Sequence, residues 1–354
     1  MKSRQSAASF LGLILIVAMP ATSRGQRPAL ATGGLTSREA IEAEFQRDLV
    51  RIERIRLERL ATLAATQPKA EALKTYEALF RFAIAVGLYS DAEPTAERVL
   101  RSGEATPEVA LLAEMVNIVG EANRGAYEDS LKSLAAAIAI NEADPNGKVR
   151  QVLPLPARLS LINVYSQRLI QAGEYEIARQ ALTMLRDTTK ETAVKNLALA
   201  RLRLVELIGK PAPRIAGTDL DGKPLDLDTY KGQLVFLVFW ASWSLPNAQE
   251  AAAISQVAAT YREQGFRVVG VNLDTLQDGG VPVETVMPNL RRFLIEHNVR
   301  WPNLINGTGT QDYAKAYGVT EIPSNVLIGR DGKVIQIDLN RVRLSEVVGK
   351  VLGQ

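Results

Sequence analysis

Along residues 37–208 apolar side chains recur three and four positions apart, in a background rich in Ala, Leu, Glu, Arg and Gln and nearly free of β-branched alternation. That spacing follows the 3.6-residue period of amphipathic helices, so the stretch is predicted to be helical throughout. The pattern changes at Gly209. Beyond it, short apolar runs are separated by Gly, Pro and Asp. Leu234-Val-Phe-Leu-Val-Phe-Trp240 reads as a buried strand, 248–264 as a helix, 267–272 as a second strand and 288–297 as a second helix. Asp221-Gly222 and Arg330-Asp-Gly332 mark hairpin turns. Strands that alternate with helices predict an α/β sandwich around a mixed sheet over 209–354, preceded by an all-α domain over 37–208.

Within the helical stretch a local pattern recurs as Gly87-Leu-Tyr89-Ser-Asp-Ala92, Gly125-Ala-Tyr127-Glu-Asp-Ser130 and Gly173-Glu-Tyr175-Glu-Ile-Ala178. Glycine ends one helix and turns the chain, tyrosine packs into the hairpin, and the small residue lets the two helices approach. The glycines stand 38 and then 48 residues apart. The pattern resembles tetratricopeptide repeats with a longer and less regular period, so these hairpins are described as TPR-like. Pro94 near a helix start, and Pro107, Pro154 and Pro156 between helices, read as start and stop signals. Such hairpins either pack as a simple bundle or present a concave surface to a peptide or protein. The preceding helix, 37–65, is dense in charge and carries Ile41, Phe45, Leu49 and Ile52 on one stripe, which predicts a solvated packing helix rather than a coiled-coil seam.

The first residues read as an address. Lys2 and Arg4 precede an apolar run over 10–19 and the small-residue stretch Pro20-Ala-Thr-Ser-Arg-Gly25. This is the layout of a secretory signal peptide over 1–25, followed by a linker over 26–36. The run is shorter than the roughly 20 residues a bilayer needs, and no long apolar stretch follows it. Export to the periplasm or cell envelope, or secretion, is the expectation; retention of the segment as an N-terminal anchor is the other reading.

Composition then removes whole reaction classes. The chain has no cysteine, so it cannot exchange disulfides, form a sulfenic acid or build a thiolate metal site. A single histidine, His297, excludes a multi-histidine metal centre. The net charge of +3 is matched by Lys2, Arg4 and Arg24 of the leader, which leaves no basic footprint for nucleic acid. Asp219, Asp221, Asp226 and Asp228 miss the spacing of a calcium loop and read as a polar hairpin; no metal and no cofactor is expected. Asn306-Gly-Thr308 is a formal glycosylation sequon.

Several segments of the C-terminal part, in order, carry a resemblance. These are Gly209-Lys-Pro-Ala-Pro213, the Asp221-Gly-Lys turn, Gly232 before the buried strand, Trp240-Ala-Ser-Trp243, Gly270-Val-Asn-Leu-Asp274, and Tyr317-Gly-Val-Thr-Glu-Ile-Pro323 running on to Gly332. Together, over about 207–354, they resemble the TlpA/ResA branch of thioredoxin-like proteins, exported thiol-disulfide reductases related to the redoxins. The resemblance implies a thioredoxin fold with a central mixed sheet. In that family the tryptophan precedes a Cys-x-x-Cys pair at a helix N-terminus, where helix dipoles stabilise the nucleophilic thiolate. Here Trp243 is followed by Ser244, Leu245, Pro246 and Asn247, with Ser244 in the nucleophile's place and Asn247 in that of the resolving thiol. Ile322-Pro323 matches the family's cis-proline loop, which implies a peptide groove or its relic.

A serine hydroxyl needs a neighbouring base to attack anything, and His297 lies in a different predicted helix, so Ser244 reads as a helix cap and no catalytic residue is assigned. The sequence therefore predicts an exported, redox-inactive pseudoenzyme of the redoxin type that binds a protein or peptide. The rival readings are an oxidoreductase by ancestry and a non-thiol enzyme working at Ser244.

Overall fold

The computed structural model describes residues 38–142, 154–307 and 309–353. The expected leader and linker, and Thr308 of the sequon, lie outside the described residues. Among the described residues eight helices come first: α1 (Arg38–Thr66), α2 (Lys69–Val86), α3 (Tyr89–Ser102), α4 (Pro107–Asn123), α5 (Tyr127–Glu142), α6 (Leu155–Ala172), α7 (Tyr175–Thr188) and α8 (Thr192–Val205). The α/β part follows with β1 (Ala216–Thr218), β2 (Pro224–Asp226), β3 (Leu234–Trp240), α9 (Leu245–Tyr261), β4 (Phe266–Asn272), α10 (Val283–Glu296), β5 (Asn303–Ile305), α11 (Tyr313–Tyr317), β6 (Ser324–Ile328), β7 (Val334–Ile337) and α12 (Arg341–Leu352).

The recurring glycines sit at the bends between α2 and α3, α4 and α5, and α6 and α7. Gly87, Gly125 and Gly173 adopt φ of 75°, 88° and 84°, the left-handed region that ends a helix and that a Cβ penalises. Tyr89, Tyr127 and Tyr175 are the first residues of the returning helices, and one turn later Ala92, Ser130 and Ala178 are buried. Pro107 opens α4, and Pro154 and Pro156 frame the start of α6. Pro94 instead lies inside α3, and α10 begins at Val283 with Pro288 in its interior. Both prolines fall in the second helical turn, where each removes a single backbone hydrogen bond and packing outweighs the loss.

Ile41, Phe45 and Leu49 are exposed, as is Ile52, whereas Leu57 and Ala64 are buried. At about 100° per residue Leu57 stands some 140° around the helix from Ile52, so the face that anchors α1 is not the apolar stripe.

Residues Ile52–Gln354 form one compact unit holding both the helices and the α/β part. Its sheet has the order β5-β4-β3-β6-β7, with β3 parallel to β4 and antiparallel to β6, and β1–β2 form a separate hairpin. β3 is central and all seven of its residues are buried. Leu234, Phe236, Val238 and Trp240 join a core with Ile254 of α9, Leu290 and Phe293 of α10 and Leu344 of α12. Phe239 packs on Tyr317 of α11, with ring centroids 5.3 Å apart. A strand covered on both faces reads as a continuous apolar run, as here. After α8 the chain pairs directly with the last hairpin, Ile208 bridging Val334 and Pro211 bridging Lys333.

Candidate functional site

The site is built where β3 ends and α9 begins. The chain leaves Trp240 through Ala241, Ser242 and Trp243 and reaches Ser244, the N-cap of α9, at φ −87° and ψ 112°. The helix starts at Leu245, three residues before its expected start, because Pro246 fits its first turn, where a missing N–H costs nothing. Ser244 stands in the cap position, but its hydroxyl makes no capping bond, which corrects the reading of its side chain as a cap.

The side chain that ties this corner together is Asn247. It is 4 % exposed, and its Oδ1 accepts the Ala241 N–H at 3.2 Å. A second clamp comes from Asp274, just after β4, whose buried carboxylate accepts the Ser242 N–H at 2.7 Å and the Ser242 hydroxyl at 2.6 Å. Asn272 completes it, donating to Asp274 Oδ1 at 3.1 Å and accepting the Asp274 N–H at 3.0 Å. Trp243, between these anchors, is 54 % exposed.

Trp240 points into the core. Its indole N–H donates to Asn303 Oδ1 at 2.9 Å, and Gly270 leaves the room for this bond, since a Cβ there would fall 1.9 Å from that oxygen. Phe293 packs on Trp240 with ring centroids 4.8 Å apart, and His297 on Phe293 at 4.4 Å, both pairs tilted. The one histidine thus sits at the C-terminal end of α10, beyond two aromatic rings, and the structure does not bring it to Ser244.

The Ile322–Pro323 peptide is cis. The register pairing Phe239 with Ser324 places Pro323 beside the Trp240 end of β3, so the degenerate motif and the proline loop share one edge of the sheet. The helical part reaches the same loop: Arg201 of α8 donates to Glu321 Oε2 at 3.1 Å, and Asn163 of α6 also donates to Glu321.

Glu250, one turn beyond Asn247 in α9, is a site residue that the sequence reading missed. It lines a small cavity with Trp240, Asn247 and Trp301. Burial raises its carboxyl above the usual range; Arg341 opposes that shift and Asp338 adds to it. Its spacing of three from Asn247 was the available signal. The hairpin carboxylates are occupied locally. Asp219 Oδ1 accepts the N–H groups of Asp221 and Lys223 at 2.9 and 2.8 Å. Arg214 bonds Asp226 at 2.8 Å and holds its carboxyl below the ordinary value.

Residues 208–337 match the AhpC/TSA family. The chain is 34 % identical over 129 residues to the thiol-disulfide oxidoreductase ResA of Bacillus thuringiensis subsp. konkukian, covering 36 % of this chain and 68 % of that protein. ResA of Geobacillus thermodenitrificans is 31 % identical over 131 residues, 37 % of this chain and 68 % of the relative. Among solved structures, a putative thiol:disulfide interchange protein DsbE from Chlorobium tepidum shares 28 % identity, with a TM-score of 0.36, over 41 % of this chain and 98 % of that one.

Proposed function

Because the chain belongs to the thioredoxin-like family of ResA-type thiol-disulfide oxidoreductases and yet contains no cysteine, we propose that it is a redox-inactive member that binds a protein or peptide partner. Disulfide exchange runs through a thiolate and a mixed disulfide, and neither can form in this chain. The observation that carries the reading is Asn247: the position of the resolving thiol now holds an amide turned inward onto Ala241, a structural tie rather than a reactive group. Ser244 has a hydroxyl without a cap bond, and the one histidine packs on Phe293, so a serine nucleophile lacks a histidine base.

What remains presented to solvent is suited to recognition. Trp243 offers a large exposed aromatic surface, the kind of side chain that anchors protein interfaces. The Pro323 loop lies at the same sheet edge, flanked by α6 and α8 through Glu321. The TPR-like hairpins are the second candidate for contact with the partner. An exported location, in the periplasm or envelope, accords with the basic and then apolar N-terminal segment and with the thiol-disulfide enzymes to which the chain is related.

The test is insulin reduction by dithiothreitol, comparing the native protein with a Ser244→Cys, Asn247→Cys double variant. A silent native protein beside an active variant is the expected result. Turnover by the native protein, with contaminating reductase excluded by mass spectrometry, would overturn the proposal.

A further inference from the structure

A cleft of about 570 Å³ opens in the helical part, walled by α4, α5, α6, α7 and the start of α8. None of its lining residues belongs to the thioredoxin-like part, so it is separate from the site described above. The volume falls in the range of about 300–1,000 Å³ typical of small-molecule sites. The wall is apolar, with Met115 and Ile118 from α4, Leu134 from α5, Leu161 from α6 and Val194 from α8. A hydrocarbon chain would make dispersion contacts with those side chains, and methionine adapts readily to such a guest.

The polar groups of the lining give the ligand its sign. Arg158 of α6 and Lys190 of the α7–α8 turn line the cleft together with one acid, Glu114, and two threonines. The Arg158 Nε–H is buried with no acceptor, and its guanidinium reaches Glu191 only at 3.5 Å. Among the described residues Lys190 forms no ion pair. A buried donor without a partner calls for an explanation, and an acceptor oxygen on a ligand in the cleft supplies one, with Lys190 favouring a negative charge on it. A guanidinium N–H suits carboxylate and phosphate oxygens alike, and the carboxylate is the smaller head of the two.

We propose that this cleft binds a single-chain amphiphile with a carboxylate head, of the medium-chain fatty acid class. The chain lies along the Met115–Leu134–Leu161 wall, and the head accepts from Arg158 Nε with Lys190 beside it. Arg158 and Lys190 favour this head over an ammonium on the same chain.

The experiment is isothermal titration of the full chain with decanoate, decanol and decyltrimethylammonium, each below its micelle concentration, on the native protein and on Arg158→Gln and Leu111→Trp variants. Leu111 is half-buried and lines the cleft, so an indole there fills it with less disturbance than one at the buried Met115. One decanoate per chain is expected, about tenfold tighter than decanol, with no binding of the cation. Arg158→Gln should bring decanoate down to the affinity of decanol and leave decanol unchanged. Leu111→Trp should abolish both while the far-ultraviolet melt stays native. Absence of saturable decanoate binding to the native protein overturns the proposal. So does decanoate binding that is equal in the native protein and the two variants.

Discussion

Arg201 of α8 and Asp338, the residue after β7, meet as a buried ion pair at 3.2 Å across 137 residues of chain. The other Asp338 oxygen accepts the Ser324 hydroxyl at 2.6 Å, and the other arm of Arg201 engages Asn163 and Glu321. One guanidinium therefore fastens α6 and α8 to both sides of the Pro323 loop. Asp338→Asn isolates the charge, because asparagine also tolerates the left-handed φ of 44° found at this position. Removing one partner of a buried pair costs about 3–5 kcal/mol. Urea unfolding should show the lower part of that loss, because Glu321 still faces the guanidinium, and an added Arg201→Met should cost less than it does alone, since the two groups act as a pair. A loss below about 1 kcal/mol would mean that the pair is solvated and not what joins the two parts.

The two vestigial positions should respond in opposite ways. Ser244→Ala removes a hydroxyl that caps nothing, so it should change stability by less than about 0.5 kcal/mol, against about 1 kcal/mol for a capping serine. Asn247→Ala strands the buried Ala241 N–H and should cost about 1–3 kcal/mol. Thermal melts of the two variants settle the order; a larger loss for Ser244→Ala would mean that the hydroxyl, not the amide, holds the start of α9.

The features legible in the sequence were those set by local periodicity. The apolar run of β3, the turn glycines at 87, 125 and 173, and Pro323 each carry their role in residues close by, and the thioredoxin-like framework followed from several such segments in order. Relationships across long separations were not legible. Nothing near Arg201 distinguishes it from the other arginines of a charged helix until Asp338 arrives, and Glu250 looks like an ordinary helical glutamate until Trp240 and Trp301 enclose it. The stripe on α1 misled for a related reason, since periodicity shows that a face is apolar and not that the fold supplies a partner for it.

Glu250 gives the protein a pH-dependent element with a definite sign. Burial is the main cause of its raised value, Arg341 works against it, and Asp338 is the acidic neighbour that adds to it. The folded state therefore holds this proton more tightly than the unfolded chain. The associated stability is fully present below the ordinary glutamate value and is lost as pH rises through the raised one. Glu250→Gln removes this dependence, so the variant should gain on the native protein as pH rises above the ordinary glutamate value. Chemical unfolding at a series of pH values reads the difference directly, and two parallel stability curves would show that the carboxyl is no more buried when folded than when unfolded.

Gly318, at the end of α11, tests how closely α8 rests on the thioredoxin-like part. Its φ of 71° already disfavours any other residue, and a Cβ would stand 2.5 Å from the Ala200 carbonyl oxygen and 2.9 Å from the Leu204 nitrogen, both backbone atoms of α8. Gly332, in the β6–β7 turn, has a similar φ of 79° with nothing within 4 Å of its missing Cβ. Gly332→Ala should therefore show the conformational cost alone, about 1–2 kcal/mol. Gly318→Ala should add the collision to that cost, because helix backbone cannot yield as the end of a flexible side chain can. The gap between the two urea midpoints measures the contact with α8; equal losses would mean that the helix does not bear on this turn in solution, and that the anchoring of the helices rests on the Arg201 and Asn163 contacts and the Ile208 bridge.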